Sequence, residues 1–363
     1  MSQWILVGTL TNDLVGPIFY RRDGAIDGIE GGGSKRRGRA LVTVTTSTTP
    51  RVPVASGQPM SPRAVKDPLR RAIDRFGPLR ALVKSDAGQR AVEALRGARA
   101  VHEPVRFLAA QFGRPRPARY RLRRSRQIVH VRHRTADIEV LNEIFGGTGG
   151  RAAYEPPAGL TGALDHNPSP RILDLGGNVG LFGLYALHRW PGASVHSFEP
   201  DVESASLLRA AIAENRLENR WTLTPAAVAN HSGTMKFRPG LSSESHLLDV
   251  EAGSHATPAA EGVVEVPVED LFALAGRLDL VKMDIEGGEW SLLADPRMAR
   301  LDADLIVLEW HAQGCPAPDP RAHVICLLRD AGYGELYEPI EPSHCGMLWA
   351  RRSAALAPAP AAG

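Results

Sequence analysis

Residues 171–200 read RILDLGGNVGLFGLYALHRWPGASVHSFEP, and this stretch decides the fold. The apolar run 172–175 is too short for a helix and suits a strand buried on both faces. Apolar residues then recur at helical spacing, and a second short strand ends at Glu199. Gly176 and Gly180 flank the first bend, where the lack of side chains lets a ligand approach the free N–H groups of the helix. The stretch therefore predicts a nucleotide-handling βαβ unit.

The acids around this bend favour one kind of cofactor. Asp174 lies at the end of the first strand, where a carboxylate would repel the pyrophosphate of a dinucleotide. S-adenosylmethionine has no phosphate, so Asp174 can accept from its ammonium while the helix N-terminus receives its carboxylate. Glu199 stands where an acid would accept both ribose hydroxyls of either cofactor. We predict an S-adenosylmethionine site that contains Asp174, Gly176, Asn178, Gly180 and Glu199.

Two later apolar strands, predicted over 278–284 and 304–311, carry polar residues at their ends: Asp284, Glu286, Glu289, Glu309 and His311. Ligands of open α/β sheets bind outside the carboxyl ends of the strands. We therefore expect these side chains to share one edge of the sheet with the glycine turn. Glu289 is the exception, because an acid in the first turn of a helix commonly stabilises the helix N-terminus.

Asp284, Glu286 and His311 are the candidate catalytic residues. Methyl transfer from a sulfonium is an in-line displacement, and a base near the acceptor helps when a proton has to leave. His311 is the best candidate by type, because an unperturbed imidazole titrates near neutrality, although a structural histidine is an equal alternative. Asp284, Glu286 and Glu309 would also suit Mg²⁺. We expect no metal, because the same acids would balance Lys282 and a cationic methyl donor.

Length and composition indicate a globular protein. The chain has 363 residues, of which 43% are hydrophobic, and it contains no apolar stretch long enough for a membrane span. The run at 4–10 is too short for a secretory signal, so we expect a cytoplasmic protein. The spacing of Cys315, Cys326 and Cys345 predicts neither a disulfide framework nor a zinc site.

The net charge of +3 conceals a strong asymmetry along the chain. Residues 63–134 contain 20 Lys and Arg against 5 Asp and Glu, whereas residues 135–363 contain 16 against 31. A basic segment can attract nucleic acid, anionic lipid or an acidic carrier protein. We favour the alternative that basic helices pack on an acidic partner domain. A nucleic-acid partner is not expected, because aromatic residues for base stacking are few.

The chain divides into four predicted segments. Residues 1–62 are a low-complexity or disordered extension, 63–150 a basic accessory region, 151–353 the catalytic domain and 354–363 a disordered Ala/Pro tail. The accessory region is expected to contain short helices broken at Gly97 and Gly113, a hairpin over 120–133 and a helix that starts at Thr135. The long polar loop 241–262 is a candidate lid or substrate loop.

The chain resembles the FkbM family of S-adenosylmethionine-dependent methyltransferases. The segments that carry the resemblance lie at 135–145, 172–180, 198–200, 214–219, 281–289 and 306–309. Among them, Lys-x-Asp-x-Glu-Gly-x-Glu at 282–289 is the most specific. The resemblance covers roughly residues 128–351. The family pattern commonly has alanine where Gly177 stands.

The resemblance implies a Rossmann-like class I methyltransferase fold, with a seven-stranded, mostly parallel sheet and helices on both faces. It also implies methylation of a hydroxyl on a small molecule, a sugar or a natural product. Two alternatives stay open. One is methylation of a nitrogen or a carboxylate on a macromolecule. The other is a non-catalytic module that binds nucleic acid or a carrier protein through the basic region.

Overall fold

The computed structural model describes residues 4–6, 19–21, 86–113, 116–146, 154–156, 159–239, 246–248, 263–274, 276–339 and 345–353. The chain forms two units, 1–62 and 63–363. In the first unit, β1 (Trp4–Leu6) pairs antiparallel with β2 (Phe19–Arg21). The disorder expected for the rest of 1–62, the helices expected over 63–85, most of the 241–262 loop and the 354–363 tail lie outside the described residues.

The second unit alternates helices and strands along most of its length. Its helices are α1 (Asp86–Ala100), α2 (Pro104–Gln111), α3 (Asp137–Phe145), α4 (Gly162–His166), α5 (Leu181–Arg189), α6 (Val202–Glu214), α7 (Glu289–Leu293) and α8 (Pro320–Asp330). Its strands are β3 (Pro117–Arg121), β4 (Ile128–Arg132), β5 (Arg171–Leu175), β6 (Ser194–Phe198), β7 (Trp221–Thr224), β8 (Ala227–Ala229), β9 (Gly233–Arg238), β10 (His246–Leu248), β11 (Val264–Asp270), β12 (Leu278–Met283), β13 (Ala303–His311), β14 (Tyr333–Tyr337) and β15 (Cys345–Arg352).

The central sheet has seven strands in the order β14-β15-β13-β12-β5-β6-β7. The pairs from β13 to β7 are parallel, and β15 runs antiparallel between β13 and β14. The carboxyl ends of β5, β6, β12 and β13 therefore meet at one edge, as the strand-end argument predicted. The expectation of a mostly parallel, seven-stranded sheet with helices on both faces is confirmed.

Alternate residues of the central strands enter two different cores. Ile172 of β5 belongs to the core on one face, together with Leu184 of α5 and Leu208 of α6. Leu173 belongs to the core on the other face, with Leu292 of α7 and Val324 among its members. This period of two with both faces buried is the reason that the strands read as continuous apolar runs.

The basic accessory region contributes to the first of these cores. Phe107 of α2, Tyr120 and Val129 of the β3–β4 hairpin and Leu141 of α3 pack in the same cluster as α5 and α6. Asn215, directly after α6, holds the hairpin through both backbone groups of Ile128: its Oδ1 accepts from the N–H and its Nδ2 donates to the C=O, each at 2.8 Å. Basic and acidic residues also pair here, since Arg119 contacts Glu214.

Several local expectations need correction. The predicted break at Gly97 is wrong, because α1 continues through it to Ala100 and the glycine lies against the ring of Phe107. The short strands β8, β11 and β14 were not predicted. β8, β9, β10 and β11 form a second, four-stranded sheet, and β10 is the described part of the long polar loop. The three cysteines are free thiols. Among the described helices, none combines the length and the apolar character that crossing a membrane requires.

Candidate functional site

Gly176 directly follows β5, in a position where only glycine fits. Its φ is +78°, and an added Cβ would lie 1.9 Å from the carbonyl oxygen of Asp284, which directly follows β12. The N–H groups of Gly176 and Gly177 both donate to the carbonyl of Phe198, at 3.1 and 2.8 Å. The missing side chain therefore allows two strand ends to meet closely, in addition to leaving room for a ligand.

Gly180 and Asn178 complete the turn in different ways. Gly180 precedes α5 with φ of +87°, and an added Cβ would lie about 3 Å from Trp221 and Leu208. The expectation that Gly180 opens the way to a ligand is thus replaced by a packing role. Asn178 has a left-handed backbone, with φ of +47°, and its N–H donates to Glu199 Oε2 at 2.7 Å.

Asp174 lies beneath the turn. It is fully buried, and it faces Ser197 on β6 and Lys282 on β12 as their direct partner in the sheet. Ser197 Oγ donates to Asp174 Oδ2 at 2.7 Å, and Lys282 Nζ lies 3.6 Å from Oδ1. Asp174 is not among the residues that line the cavity described below. In the structure it supports the turn from below, and its contact with a donor ammonium stays a prediction.

A cavity opens beside this turn at the carboxyl ends of β5, β6 and β12. Its open space is about 630 Å³, a volume that includes solvent at the mouth. Its apolar lining residues are Phe198, Ala226, Ala227, Val228 and Phe237. Among the described residues, its charged lining side chains are three acids: Glu199, Asp284 and Glu286.

Glu199 is held rigidly at the cavity wall. It is 6% exposed, and its two oxygens accept from the backbone N–H groups of Asn178 at 2.7 Å and Asp201 at 2.8 Å. Burial raises the pKa of Glu199 to about 7, against the opposing effect of these hydrogen bonds. Each oxygen keeps a lone pair for a ligand hydroxyl.

Arg132 of the hairpin supports the same wall and was missed by sequence reasoning. Its guanidinium pairs with Asp137 at 2.9 Å, and its Nη2 donates to Asn178 Oδ1 at 3.3 Å and to Ser204 Oγ at 3.0 Å. Both Asn178 and Ser204 line the cavity. The spacing of Arg132 and Asp137 in the sequence gave no signal for this pair, because the contact depends on how the hairpin docks.

On the other side of Asp284, the residues Glu286, Glu289 and His311 form a cluster. His311 Nε2 is 3.3 Å from a Glu286 oxygen, and His311 Nδ1 is 3.2 Å from a Glu289 oxygen. Glu289 is fully buried and accepts from the N–H groups of Ile285 at 3.1 Å and Gly287 at 2.9 Å. The expected role of Glu289 near a helix N-terminus thus extends to holding the imidazole of His311.

The close approach of these groups changes their acid strengths. Burial, followed by the charge of Asp284, raises the pKa of Glu286 to about 8, and burial, Asp284 and Glu143 raise that of Glu309 to about 8. Burial alone would lower the pKa of His311, but Glu289, Asp284 and Glu286 outweigh it and raise the pKa to about 9. The raised pKa of His311 departs from the near-neutral pKa of an unperturbed imidazole.

The structure thus brings most of the predicted site residues together. Glu199, Asp284 and Glu286 line one cavity, and one ligand atom each of Asp284, Glu286 and His311 lies within 4.8 Å of the others. These last three residues could hold a metal ion. Lys282 joins the halves of the site, because its Nζ donates to the carbonyl of Gly176 at 2.6 Å and lies 3.4 Å from Asp284 Oδ2.

The strand order, with its one antiparallel strand between β13 and β14, and the cavity at the strand ends define a class I methyltransferase. Residues 174–334 match the family model described as the methyltransferase FkbM domain. The chain is 27% identical over 218 residues to "Methyltransferase sdnD" of Sordaria araneosa, an alignment that covers 51% of this chain and 82% of that protein.

A second relative is the "31-O-demethyl-FK506 methyltransferase FkbM" of Streptomyces tacrolimicus, which is 26% identical over 208 residues, or 48% of this chain and 76% of that protein. A solved structure of the N-terminal domain of EvdMO1 with SAH bound aligns with a TM-score of 0.32 and 21% identity, covering 51% of this chain and 75% of that one. Residues 174–334 of this chain are thus similar to the FkbM domain, and the two relatives that the chain resembles are methyltransferases.

Proposed function

We propose that the protein transfers a methyl group from S-adenosylmethionine to a hydroxyl of a small molecule, a sugar or a natural product. One observation carries the choice of donor: the charged residues that line the cavity in the described part of the chain are all acids. A dinucleotide would bring its pyrophosphate against Asp284 and Glu286, whereas the sulfonium and ammonium of S-adenosylmethionine are attracted to them.

The lining of the cavity matches the parts of this donor. Its apolar residues, among them Phe198, Val228 and Phe237, suit an adenine ring. The oxygens of Glu199 can accept from the ribose hydroxyls. Asn178, which also lines the cavity, precedes α5, whose N-terminus can receive the carboxylate of the amino acid part.

The acceptor is proposed to bind beside Asp284, at the cluster of Glu286 and His311. The acceptor oxygen would approach the methyl carbon from the side opposite the sulfur. As the O–CH₃ bond forms, the C–S bond breaks and its electron pair stays on sulfur, which becomes a neutral thioether. The hydroxyl proton leaves to an unprotonated carboxylate of the cluster, and Asp284, Glu286 and His311 are the proposed catalytic residues. The name of the FK506 relative, a 31-O-demethyl-FK506 methyltransferase, supports oxygen as the acceptor atom.

Calorimetry tests the donor site directly. The wild type is expected to bind S-adenosylmethionine and S-adenosylhomocysteine with a Kd in the micromolar range, and not to bind NAD. Glu199→Ala removes the ribose acceptor and is expected to weaken both ligands at least tenfold. The matched control is Glu218→Ala, an exposed acid outside the cavity, which should bind both like the wild type.

The acceptor atom is tested by product chemistry. Extracts incubated with donor carrying a labelled methyl group should yield a product heavier by one methyl, and this methyl should sit on an oxygen. NAD binding by the wild type, or equal donor affinity of Glu199→Ala and Glu218→Ala, would refute the donor site. A label found only on nitrogen or carboxylate groups would refute the choice of a hydroxyl acceptor.

A further inference from the structure

The acceptor side of the site gathers three side chains that ligate metals. One oxygen each of Asp284 and Glu286 and one ring nitrogen of His311 all lie within 4.8 Å of one another. An octahedral cation with ligands at about 2.1 Å places neighbouring ligand atoms about 3.0 Å apart and opposite ones about 4.2 Å apart. The 3.3 Å between His311 Nε2 and Glu286 already matches neighbouring ligands. Small side-chain movements would bring all three atoms to ligating distance.

His311 has the hydrogen-bond support that is typical of metal-ligating histidines. The ring nitrogen that does not bind the metal almost always donates its N–H to a carboxylate or a carbonyl, which fixes the tautomer and the ring orientation. Nδ1 of His311 lies 3.2 Å from the fully buried carboxylate of Glu289, which two backbone N–H groups hold in place. The end of β13 is fixed as well, since Trp290 Nε1 donates to the carbonyl of His311 at 3.0 Å. Nε2 is thereby aimed at Glu286.

The two carboxylates keep capacity for a ligand. Asp284 Oδ2 forms an ion pair with Lys282 Nζ at 3.4 Å, so Asp284 Oδ1 can bind a cation. In the described part of the chain, His311 is the ion-pair partner of Glu286. The side chains of all three residues are between 18% and 27% exposed, so a cation can reach them from solvent. With Glu289 and Glu309, four carboxyl groups lie close to Lys282 and His311, and a divalent cation would favour the ionised form of these acids.

We propose that Asp284, Glu286 and His311 bind one divalent cation. Three protein ligands leave three octahedral positions for water and for the acceptor hydroxyl, whose binding to a cation would make it easier to deprotonate. This role rests on the proposed function, but the binding site can be tested without methyl transfer. From the sequence we expected no metal, and Asp284, Glu286 and Glu309 were the residues that would suit Mg²⁺. In the structure, His311 rather than Glu309 lies with Asp284 and Glu286.

Mn²⁺ is the suitable probe, because the donor set mixes carboxylates with imidazole and the ion is paramagnetic. The loss of the free Mn²⁺ signal in electron paramagnetic resonance should show about one ion bound per chain of the full-length wild type. Electron spin echo modulation of the bound ion should show the nitrogen of a directly coordinated imidazole. Glu286→Gln and His311→Ala should each weaken binding at least tenfold, and the exposed-acid control Glu218→Gln should not change it.

The His311→Ala variant separates ligation from simple attraction to acids. If the cluster only attracts cations through its carboxylates, removal of the imidazole leaves Mn²⁺ binding unchanged or strengthens it, whereas removal of a ligand weakens it. Unchanged or tighter binding would overturn the proposal, and so would the absence of a nitrogen signal in the wild type, which requires no variant to fold.

Chelation separates this proposal from the proposed function. The EDTA-treated protein should keep its affinity for S-adenosylmethionine, lose at least tenfold in methyl transfer and regain it with Mn²⁺. Full methyl transfer after chelation would overturn the role of the cation and leave the proposed function intact. Failure to bind S-adenosylmethionine under any condition would refute the proposed function, and the Mn²⁺ measurements would still decide on the metal site.

Discussion

Replacement of Gly176 by alanine tests the closest contact in the site. The added Cβ would lie 1.9 Å from the carbonyl oxygen of Asp284, so the two strand ends would have to separate by about 1.5 Å before an ordinary contact is reached. The left-handed backbone lowers the free energy of unfolding by a further ~1–2 kcal/mol. Alanine also has less conformational freedom than glycine in the unfolded chain, which raises the free energy of unfolding by ~0.4–1 kcal/mol. With ~1–3 kcal/mol for the forced displacement, the free energy of unfolding should fall by about 2–4 kcal/mol.

Gly177→Ala is the matched control for this experiment. Its Cβ would meet only side-chain atoms, at 2.9 Å from Leu208 and 3.0 Å from Ser197, and its φ is not left-handed. Side chains can move aside, so the change in unfolding free energy should stay within about 1 kcal/mol. Urea denaturation measures both variants, and calorimetry with S-adenosylhomocysteine measures the donor site.

The displacement of Asp284 should also weaken donor binding in Gly176→Ala at least tenfold, because Asp284 lines the cavity. Gly177→Ala should bind within about threefold of the wild type, as expected from side-chain adjustments of less than 1 kcal/mol. Equal stability and equal donor affinity of the two variants would refute the argument that the approach of β5 and β12 requires a glycine at 176.

Three more predictions concern other parts of the molecule. Lys282→Met leaves the buried Asp174 without its cation and should lower the unfolding free energy by about 3–5 kcal/mol in urea denaturation, whereas Lys236→Met, at an exposed lysine, should be neutral. Because Glu199 has a pKa of about 7 and binds a donor hydroxyl best when ionised, donor affinity should fall about tenfold from pH 8 to pH 6, and a flat calorimetric profile would contradict this. Asn215→Ala leaves two backbone groups of Ile128 unpaired and should cost about 1–3 kcal/mol, with faster hydrogen exchange in 117–132; unchanged exchange would show that the hairpin does not depend on Asn215.

The fold could be predicted from the sequence because its signals are local. A short apolar run, a glycine turn and a helical period identify β5 and α5, and the strand-end rule then places Glu199, Asp284 and His311 at one edge. The short strands β8 and β11 carry no comparable signal, since each is defined by pairing with a distant segment. The break expected at Gly97 failed for a related reason, because tertiary packing against Phe107 requires a glycine inside a continuous helix.

The direction of each side chain in the site could not be predicted in the same way. At the end of a strand, one residue further along the chain changes the face of the sheet. Asp174 lies within the sheet, and Ser197 and Lys282 are its partners on the two neighbouring strands. Glu199 lies one residue beyond β6 and lines the cavity. The pairing of His311 with both Glu286 and Glu289 likewise depends on the path of a loop with two left-handed residues, Glu286 and Gly287.

Lys282 explains why the glycine turn and Asp284 depend on each other. Its ammonium is nearly fully buried, and it contacts Asp174 below the glycine turn, the carbonyl of Gly176 within the turn and Asp284 at the cavity. Burial alone would lower the pKa of Lys282, but the surrounding carboxylates, Asp284 first, raise it, so the amine stays charged. This one charge therefore pairs with both Asp174, which supports the turn, and Asp284, which lines the cavity. Any substitution that moves the turn is expected to move Asp284 with it, which is the coupling that Gly176→Ala measures.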